Sequence, residues 1–120
     1  MNKVLIVEDS LSTSRALRTV LNLHEFEVVG EARDGEQAVD LFQKLKPDLT
    51  LMDIAMPKKH GIDAIRDILK IDNRAKIIAV TALYSPEKKR EIMDAGAKAL
   101  VVKPFDVPDL IKTIEDTLAS

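Results

Sequence analysis

The chain has 120 residues, of which 46% are hydrophobic, 32% charged and only 3% aromatic, and its formal net charge is −2. This length predicts a single domain that spans 1–120, with a core built from Leu, Ile, Val and Ala. The lack of cysteine excludes disulfides, thiolate metal sites and cysteine nucleophiles, and the charge balance predicts no direct binding of nucleic acid.

The start of the chain, MNKVLIVEDS, contains a short apolar run that is followed by two acids. Such a run is too short for a signal peptide or a membrane span. We therefore expect a cytoplasmic protein without membrane insertion.

Short runs of strand length alternate along the chain with segments of helical spacing. The runs are Val4–Val7, Glu27–Ala32, Leu49–Met52, Ile77–Val80 and Ala99–Val102. Four of them are continuously apolar, which predicts burial on both faces, as in a parallel sheet covered by helices. The second, EVVGEA, is more polar and contains a glycine, which favours an edge strand.

Each predicted strand is followed by a predicted helix. Clear apolar faces with a period of about 3.6 residues consist of Leu17, Val20 and Leu21; Ala38, Leu41, Phe42 and Leu45; Ile62, Ile65, Ile68 and Leu69; and Val107, Leu110, Ile111, Ile114 and Leu118. Lys46 and Pro47 predict the end of the second helix. Five βα units in succession predict a doubly wound α/β fold with right-handed crossovers.

The fourth helix, Pro86–Ala95, has the weakest apolar face of the five. It consists of little more than Ile92, Met93 and Ala95, so we expect this helix to be the most mobile. Ser85 and Pro86 predict its N-cap and first turn, and Gly96 predicts its end.

Polar side chains follow or end four of the five predicted strands. Glu8 and Asp9 stand at the end of the first, Asp53 at the third, Thr81 at the fourth and Lys103 at the fifth. Ligands of open α/β sheets bind outside the carboxyl ends of the strands, so these side chains should converge on one cleft. Carboxylates without His or Cys favour a hard ion such as Mg²⁺, and a lysine suits the oxygens of an anion. The set predicts a phosphoryl-transfer site with Asp53 as nucleophile.

Each of these residues also has an ordinary structural explanation. An acid at the end of a strand commonly forms a turn or caps a helix, and the pair Glu8 and Asp9 would favour a helix dipole. Thr81 could be a simple strand residue and Lys103 a solvated charge. Their joint placement at the strand ends is what favours a shared site.

Four segments resemble the signature segments of receiver domains in bacterial response regulators: VLIVEDS, PDLTLMDIAMPKKHGID, IIAVTA and VVKPFD. The resemblance covers essentially the whole chain. It implies a flavodoxin-like, CheY-like three-layer sandwich in which a five-stranded parallel sheet of order 2-1-3-4-5 is covered by five helices. It also implies a signalling domain that is not an enzyme in the usual sense, although it assists its own phosphotransfer and slow autodephosphorylation.

The resemblance further implies a cofactor and partners. Mg²⁺ is the expected cofactor, with Mn²⁺ as a substitute, and a histidine kinase or a phosphotransfer protein is the expected phosphoryl donor. The fourth helix, fifth strand and fifth helix are expected to form the surface that signals a downstream protein effector.

The resemblance assigns metal-binding roles position by position. Asp53 matches the phosphoacceptor, which also contacts the metal, and Asp9 matches a direct metal ligand. Glu8 matches a second acid that reaches the metal through water, and Ala55 matches the residue whose backbone carbonyl is the third protein ligand.

A second group of positions matches residues that bind the phosphoryl group. Thr81 matches the hydroxyl that turns toward it, and the amide of Ala82 lies close by. Lys103 matches the lysine that pairs with the phosphoryl oxygens, and the bond between Lys103 and Pro104 matches one that is usually cis.

One position departs from the family pattern. The switch aromatic, usually Tyr or Phe, is Leu100 here, so we expect switching without the rotation of a buried ring. We interpret Tyr84 as an exposed loop aromatic rather than part of an output surface, and His60 as a surface residue rather than a phosphate relay. Lys58 and Lys59 are expected to be solvated or to face a partner.

Three classes of function stay open at this point. The first is a phosphorylatable signalling domain, expected to stand alone because the chain stops after the fifth helix, as a monomer or a weak phosphorylation-dependent dimer. Its output stays open: a motor-type switch, a phosphorelay intermediate, or the excised receiver of a larger transcription regulator. The second is a phosphatase with an aspartyl nucleophile, which would need a further acid–base group. The third is a flavodoxin-like cofactor binder, against which the acidic segment EDSLS argues.

Overall fold

The structure is a computed structural model that describes residues 1–56, 59–82 and 85–120. Strands and helices alternate along these residues, as predicted. They are β1 Lys3–Val7, α1 Leu11–Leu23, β2 Glu27–Ala32, α2 Gly35–Leu45, β3 Leu49–Asp53, α3 Gly61–Ile71, β4 Ile77–Thr81, α4 Pro86–Ala95, β5 Ala99–Val102 and α5 Val107–Ala119. No helix in these ranges is long and apolar enough to cross a lipid bilayer.

The five strands form one parallel sheet in the order β2-β1-β3-β4-β5. This order confirms the prediction, and β2 lies at an edge as expected. The order of the chain reverses at β1, which pairs with β2 on one side and β3 on the other. A cleft is therefore expected at the carboxyl ends of β1 and β3.

The prediction of burial on both faces is wrong for β5. All residues of β3 and β4 are buried, whereas Ala99 and Leu100 are half-buried and Val102 is 40% exposed. The difference follows from the position of β5 at the second edge of the sheet, where a neighbouring strand covers it on one side only.

Two apolar cores lie on opposite faces of the sheet, because successive residues of a strand point to opposite sides. The core under α2, α3 and α4 includes Leu5, Val7, Met52, Ala79, Phe42, Ile65, Ile68 and Ile92. The core under α1 and α5 includes Val4, Ile6, Leu51, Val80, Leu21, Leu110 and Ile114. Burying each large side chain contributes about 1.5–3 kcal/mol to the stability of the folded state. Helices on both faces of the sheet form three layers, which confirms the predicted fold.

The ends of α4 confirm the predicted caps. The Oγ atom of Ser85 accepts a hydrogen bond from the N–H of Lys88 at 3.1 Å, and Pro86 is in the first turn. Gly96 ends the helix at φ 117°, in the left-handed region that favours glycine, and a Cβ atom there would clash with Leu69.

Two residues of the predicted apolar faces prove to be exposed. Met93 of α4 is 37% exposed and Val107 of α5 is 36% exposed. Ile92 and Ala95 are the buried residues of α4, so a single large side chain attaches this helix to the core.

Candidate functional site

Three carboxylates meet at the carboxyl ends of β1 and β3. One oxygen each from Glu8, Asp9 and Asp53 lies within 4.8 Å of the others. Glu8 and Asp53 are buried, whereas Asp9 is exposed. The three acids therefore converge, as predicted from the strand ends. A set of carboxylate oxygens open to solvent on one side fits a hydrated Mg²⁺ ion.

The carboxyl group of Asp53 is strongly perturbed by its surroundings. It ends β3, whose residues are all buried, and its side chain is only 8% exposed. Burial raises the pKa of Asp53 from an ordinary value of 3.8 to about 7, and the negative charge of Glu8 adds to this effect. The positive charge of Lys103 acts in the opposite direction. A cation bound among the three acids would favour the ionised form.

Lys103 follows β5 and contacts two of the three acids. Its Nζ atom donates a hydrogen bond to Oε1 of Glu8 at 2.8 Å and lies 3.8 Å from Oδ1 of Asp53. Its backbone N–H donates to the carbonyl of Thr81 at 2.8 Å, which ties the end of β5 to the end of β4. The short contact with Glu8 was not predicted from the sequence.

The ion pair between Glu8 and Lys103 keeps both groups charged. Burial acts to raise the pKa of Glu8, but the hydrogen bonds from Lys103 and from the N–H of Ser10 outweigh it, and this pKa is lowered. Burial acts to lower the pKa of Lys103, but the hydrogen bond to Glu8 and the charge of Asp53 raise it. The cleft therefore holds a fixed positive charge beside Asp53.

The remaining predicted site residues lie at or just after the carboxyl ends of β3, β4 and β5. Thr81 is buried at the end of β4 and is followed by Ala82, which is exposed. Ala55 is exposed in the loop after β3. The peptide bond between Lys103 and Pro104 is cis.

Leu100, at the position of the expected aromatic, is half-buried and packs against the core under α2, α3 and α4. Its side chain therefore belongs to the packing of the sheet. Tyr84, the chain's one tyrosine, lies outside the described residues, and so does Lys58.

The loop between β3 and α3 contains two roles that the sequence reasoning missed. His60 is the N-cap of α3, where its Nδ1 atom accepts a hydrogen bond from the N–H of Ile62 at 3.3 Å. Its place directly before the helix could have indicated this role. Lys59 forms an ion pair with Asp67 of α3 and its side chain is 29% exposed, a contact that was not predicted from the sequence.

A further residue near the site was also missed. Arg33 follows β2, the strand for which the sequence predicted no functional group. Its guanidinium donates hydrogen bonds to the backbone carbonyl of Glu8 at 3.1 Å and to Oε1 of Glu31 at 3.0 Å. The signal was the same as for the other residues, a charged side chain directly after a strand.

Comparisons with known proteins agree with this geometry. The family model described as "Response regulator receiver domain" matches residues 4–115. The Protein CcdB of Bacillus subtilis is 43% identical over 114 residues, which are 95% of each chain. The Chemotaxis protein CheY of Thermotoga maritima is 41% identical over 112 residues, which are 93% of each chain.

The fold is also similar to solved structures. A chain in the crystal structure of the CheX-CheY-BeF3-Mg+2 complex from Borrelia burgdorferi superimposes with a TM-score of 0.95 at 30% identity, covering 99% of this chain and 90% of that one. Sequence, sheet order and the acidic cleft thus lead to one conclusion. The chain belongs to the response regulator receiver domains, a family of signalling domains with the CheY-like fold.

Proposed function

We propose that this chain accepts a phosphoryl group on Asp53 with the help of Mg²⁺ and thereby changes a surface that a partner protein reads. The observation that carries the proposal is the environment of Asp53. This buried carboxylate has two acids close enough to share a cation, and the ammonium of Lys103 lies 3.8 Å from its Oδ1 atom. A nucleophile, a cation site and a separate positive charge are the requirements of phosphoryl transfer.

The acids of the cleft suit the proposed metal. Glu8, Asp9 and Asp53 offer carboxylate oxygens, and the backbone carbonyl of Ala55 is proposed as a further ligand. When bound, Mg²⁺ would neutralise the repulsion among the acids and the charge that develops on the phosphoryl oxygens. The similar Borrelia burgdorferi structure is a complex of CheX and CheY with BeF3 and Mg+2. Mn²⁺ is expected to act as a substitute because it prefers the same oxygen ligands.

The proposed transfer is a single displacement at phosphorus. A carboxylate oxygen of Asp53 attacks the phosphorus of a phosphohistidine on a histidine kinase or a phosphotransfer protein. The new P–O bond forms as the P–N bond breaks, and the imidazole leaves with the bonding electron pair. Lys103 is placed to pair with the phosphoryl oxygens, and we propose that the Thr81 hydroxyl and the Ala82 amide donate to them.

The proposed output follows from the charge added at Asp53. Phosphorylation replaces one negative charge by nearly two and adds acceptor oxygens beside the ends of β4 and β5. Thr81 and Lys103 join these two strand ends through their backbones, so drawing either side chain inward would move the following loops. Because Leu100 is half-buried against the core and has no ring, this switch would not require the rotation of one.

The proposal of a protein partner is supported by side chains on the surface formed by α4, β5 and α5. Each of these elements exposes an apolar side chain: Met93, Val102 and Val107. Contiguous exposed apolar patches are typical of surfaces that bind other proteins, and these three side chains lie on elements that pack side by side. We propose that a downstream effector binds there, and that residues 1–120 form one receiver domain.

A labelling experiment tests the central claim. The protein is incubated with acetyl phosphate, with and without Mg²⁺, and intact mass spectrometry measures the gain of one phosphoryl group. We expect Mg²⁺-dependent uptake by the wild type and none by Asp53→Asn. Asp48→Asn is the matched control, because Asp48 is exposed at the opposite end of β3. Equal uptake by Asp53→Asn and the wild type would refute the assignment of the phosphoacceptor.

A further inference from the structure

Arg33 connects the edge of the sheet to the acidic cleft. Its side chain is 31% exposed, and its Nη1 atom donates a hydrogen bond to the backbone carbonyl of Glu8 at 3.1 Å. Its Nη2 atom donates to Oε1 of Glu31 at 3.0 Å. The backbone N–H of Arg33 donates to Oε1 of Gln37 at 2.8 Å. The main chain and the guanidinium of this arginine are thus both held in place.

Glu31, which binds Arg33, is itself held by two further hydrogen bonds. The hydroxyl of Ser14, which is fully buried, donates to Oε1 of Glu31 at 2.6 Å, and Nε of Arg18 donates to Oε2 at 2.5 Å. The hydrogen bond from Ser14 lowers the pKa of Glu31 most, and those from Arg18 and Arg33 lower it further. Burial acts in the opposite direction, and the resulting pKa is about 2. Glu31 therefore stays ionised at neutral pH and orients the guanidinium that reaches Glu8.

The end of β2 holds both backbone groups of Glu8. The N–H of Glu8 donates to the carbonyl of Ala32 at 2.9 Å, and its carbonyl accepts from Arg33. The carbonyl of Glu8 shares a rigid peptide plane with the nitrogen of Asp9, so its direction determines how Asp9 leaves the strand. Asp9 is exposed, so packing holds its side chain less firmly than those of the buried Glu8 and Asp53.

We propose that Arg33 is a positioning residue of the cleft, which directs Asp9 toward the metal by holding the peptide group between Glu8 and Asp9. This inference rests on the proposed function, since it assumes that the cleft binds Mg²⁺. Arg33 touches neither the metal nor the phosphoryl group in this arrangement. It acts through the backbone of Glu8 alone.

The sign of the effect separates positioning from simple electrostatics. Removing a positive charge near a cation site strengthens the binding of the cation by Coulomb's law. Removing a residue that orients a ligand weakens it, commonly by about tenfold or more. A weaker site in Arg33→Ala would therefore be opposite to the electrostatic expectation.

The test is a calorimetric titration with MgCl₂ of the wild type, Arg33→Ala, Arg33→Lys and Arg74→Ala. We expect the Kd for Mg²⁺ to rise about tenfold in Arg33→Ala. We expect a smaller rise in Arg33→Lys, because an ammonium can reach the Glu8 carbonyl but lacks the fork that also engages Glu31. Arg74→Ala is the charge-matched control, since Arg74 is exposed before β4 at the opposite end of the sheet. Circular dichroism verifies that each variant is folded.

A second measurement needs no metal. In ¹H–¹⁵N spectra recorded without Mg²⁺, Arg33→Ala should shift or broaden the amide of Asp9, whereas Arg74→Ala should leave it unchanged. A wild type that does not bind Mg²⁺ would refute the proposed metal site and this inference together. A wild type that binds Mg²⁺, with Arg33→Ala binding it equally or more tightly, would refute the positioning role alone.

Discussion

Lys103 donates a hydrogen bond to Glu8, 95 positions earlier in the chain, with Nζ 2.8 Å from Oε1. The same ammonium lies 3.8 Å from Oδ1 of Asp53, so one lysine faces two buried carboxylates. A phosphoryl group on Asp53 would compete with Glu8 for this lysine. In the proposed function, this exchange of one anionic partner for another would be the physical basis of a switch at the end of β5.

Replacing Lys103 by methionine should raise the pKa of Asp53 above its value of about 7, because the ammonium is the charge that lowers it. A ¹³C titration of the Asp53 carboxyl group in Mg²⁺-free buffer measures this pKa. Lys112→Met is the control, since Lys112 is exposed on α5 and pairs with Asp116 at 3.2 Å. An unchanged or lower pKa in Lys103→Met would contradict this balance of charges.

Asp53→Asn should stabilise the protein in Mg²⁺-free buffer. The folded state keeps the carboxyl proton up to a pKa of about 7, whereas the unfolded state loses it near 3.8, so stability of the wild type falls as the pH rises through this window. Above pH 7 the variant should be more stable than the wild type by about 1–3 kcal/mol. This difference in the free energy of unfolding should shrink as the pH falls toward 3.8. Urea denaturation at several pH values measures the effect.

Mg²⁺ provides an internal control for that experiment. Adding the ion should stabilise the wild type, because it binds the folded cleft, and should stabilise Asp53→Asn much less. Equal stability of the two proteins at all pH values in Mg²⁺-free buffer would show that burial and the charge of Glu8 do not perturb Asp53.

Glu31→Gln should destabilise the protein at neutral pH by about 1–2 kcal/mol, because it weakens the bonds to two arginines. The pKa of Glu31 is about 2 in the folded protein, against an ordinary value of 4.5. The ionised Glu31 therefore stabilises the folded state fully above pH 4.5, and this stabilisation is lost as the pH falls toward 2. The free energy of unfolding, measured by urea at pH values across this range, should converge for the two proteins in acid. Glu115→Gln is the charge-matched control at neutral pH, because Glu115 is exposed on α5.

Thr50→Val should stabilise the protein by about 1 kcal/mol. Thr50 is fully buried in β3, and its hydroxyl has no hydrogen-bond partner within 1–56, 59–82 and 85–120. Valine has the same shape without a polar atom to desolvate. Thr117→Val is the matched control, because Thr117 is also buried but its hydroxyl donates to the carbonyl of Thr113 at 2.7 Å. Equal effects of the two substitutions on thermal unfolding would refute this explanation.

Much of the fold is determined by neighbouring residues in the sequence. Apolar runs and helical spacing predicted every strand and helix, and Ser85 and Gly96 predicted the ends of α4, because periodicity and capping act within a few residues. The order of carboxylates, threonine and lysine at the strand ends predicted the cleft, since parallel strands end at one edge of the sheet. The sequence alone thus indicated that Asp53 lies beside Glu8, Asp9 and Lys103.

The tertiary structure decided which polar groups pair with one another. The bond from Lys103 to Glu8, the bridge from Arg33 to the Glu8 carbonyl and the lack of a partner for Thr50 among the described residues each depend on residues far apart in the chain. The exposure of Val102 likewise depends on the position of β5 at the edge of the sheet. The distance between the donor and acceptor atoms of a hydrogen bond can vary by only a few tenths of an ångström. Only the packed arrangement of strands and helices sets distances that accurately.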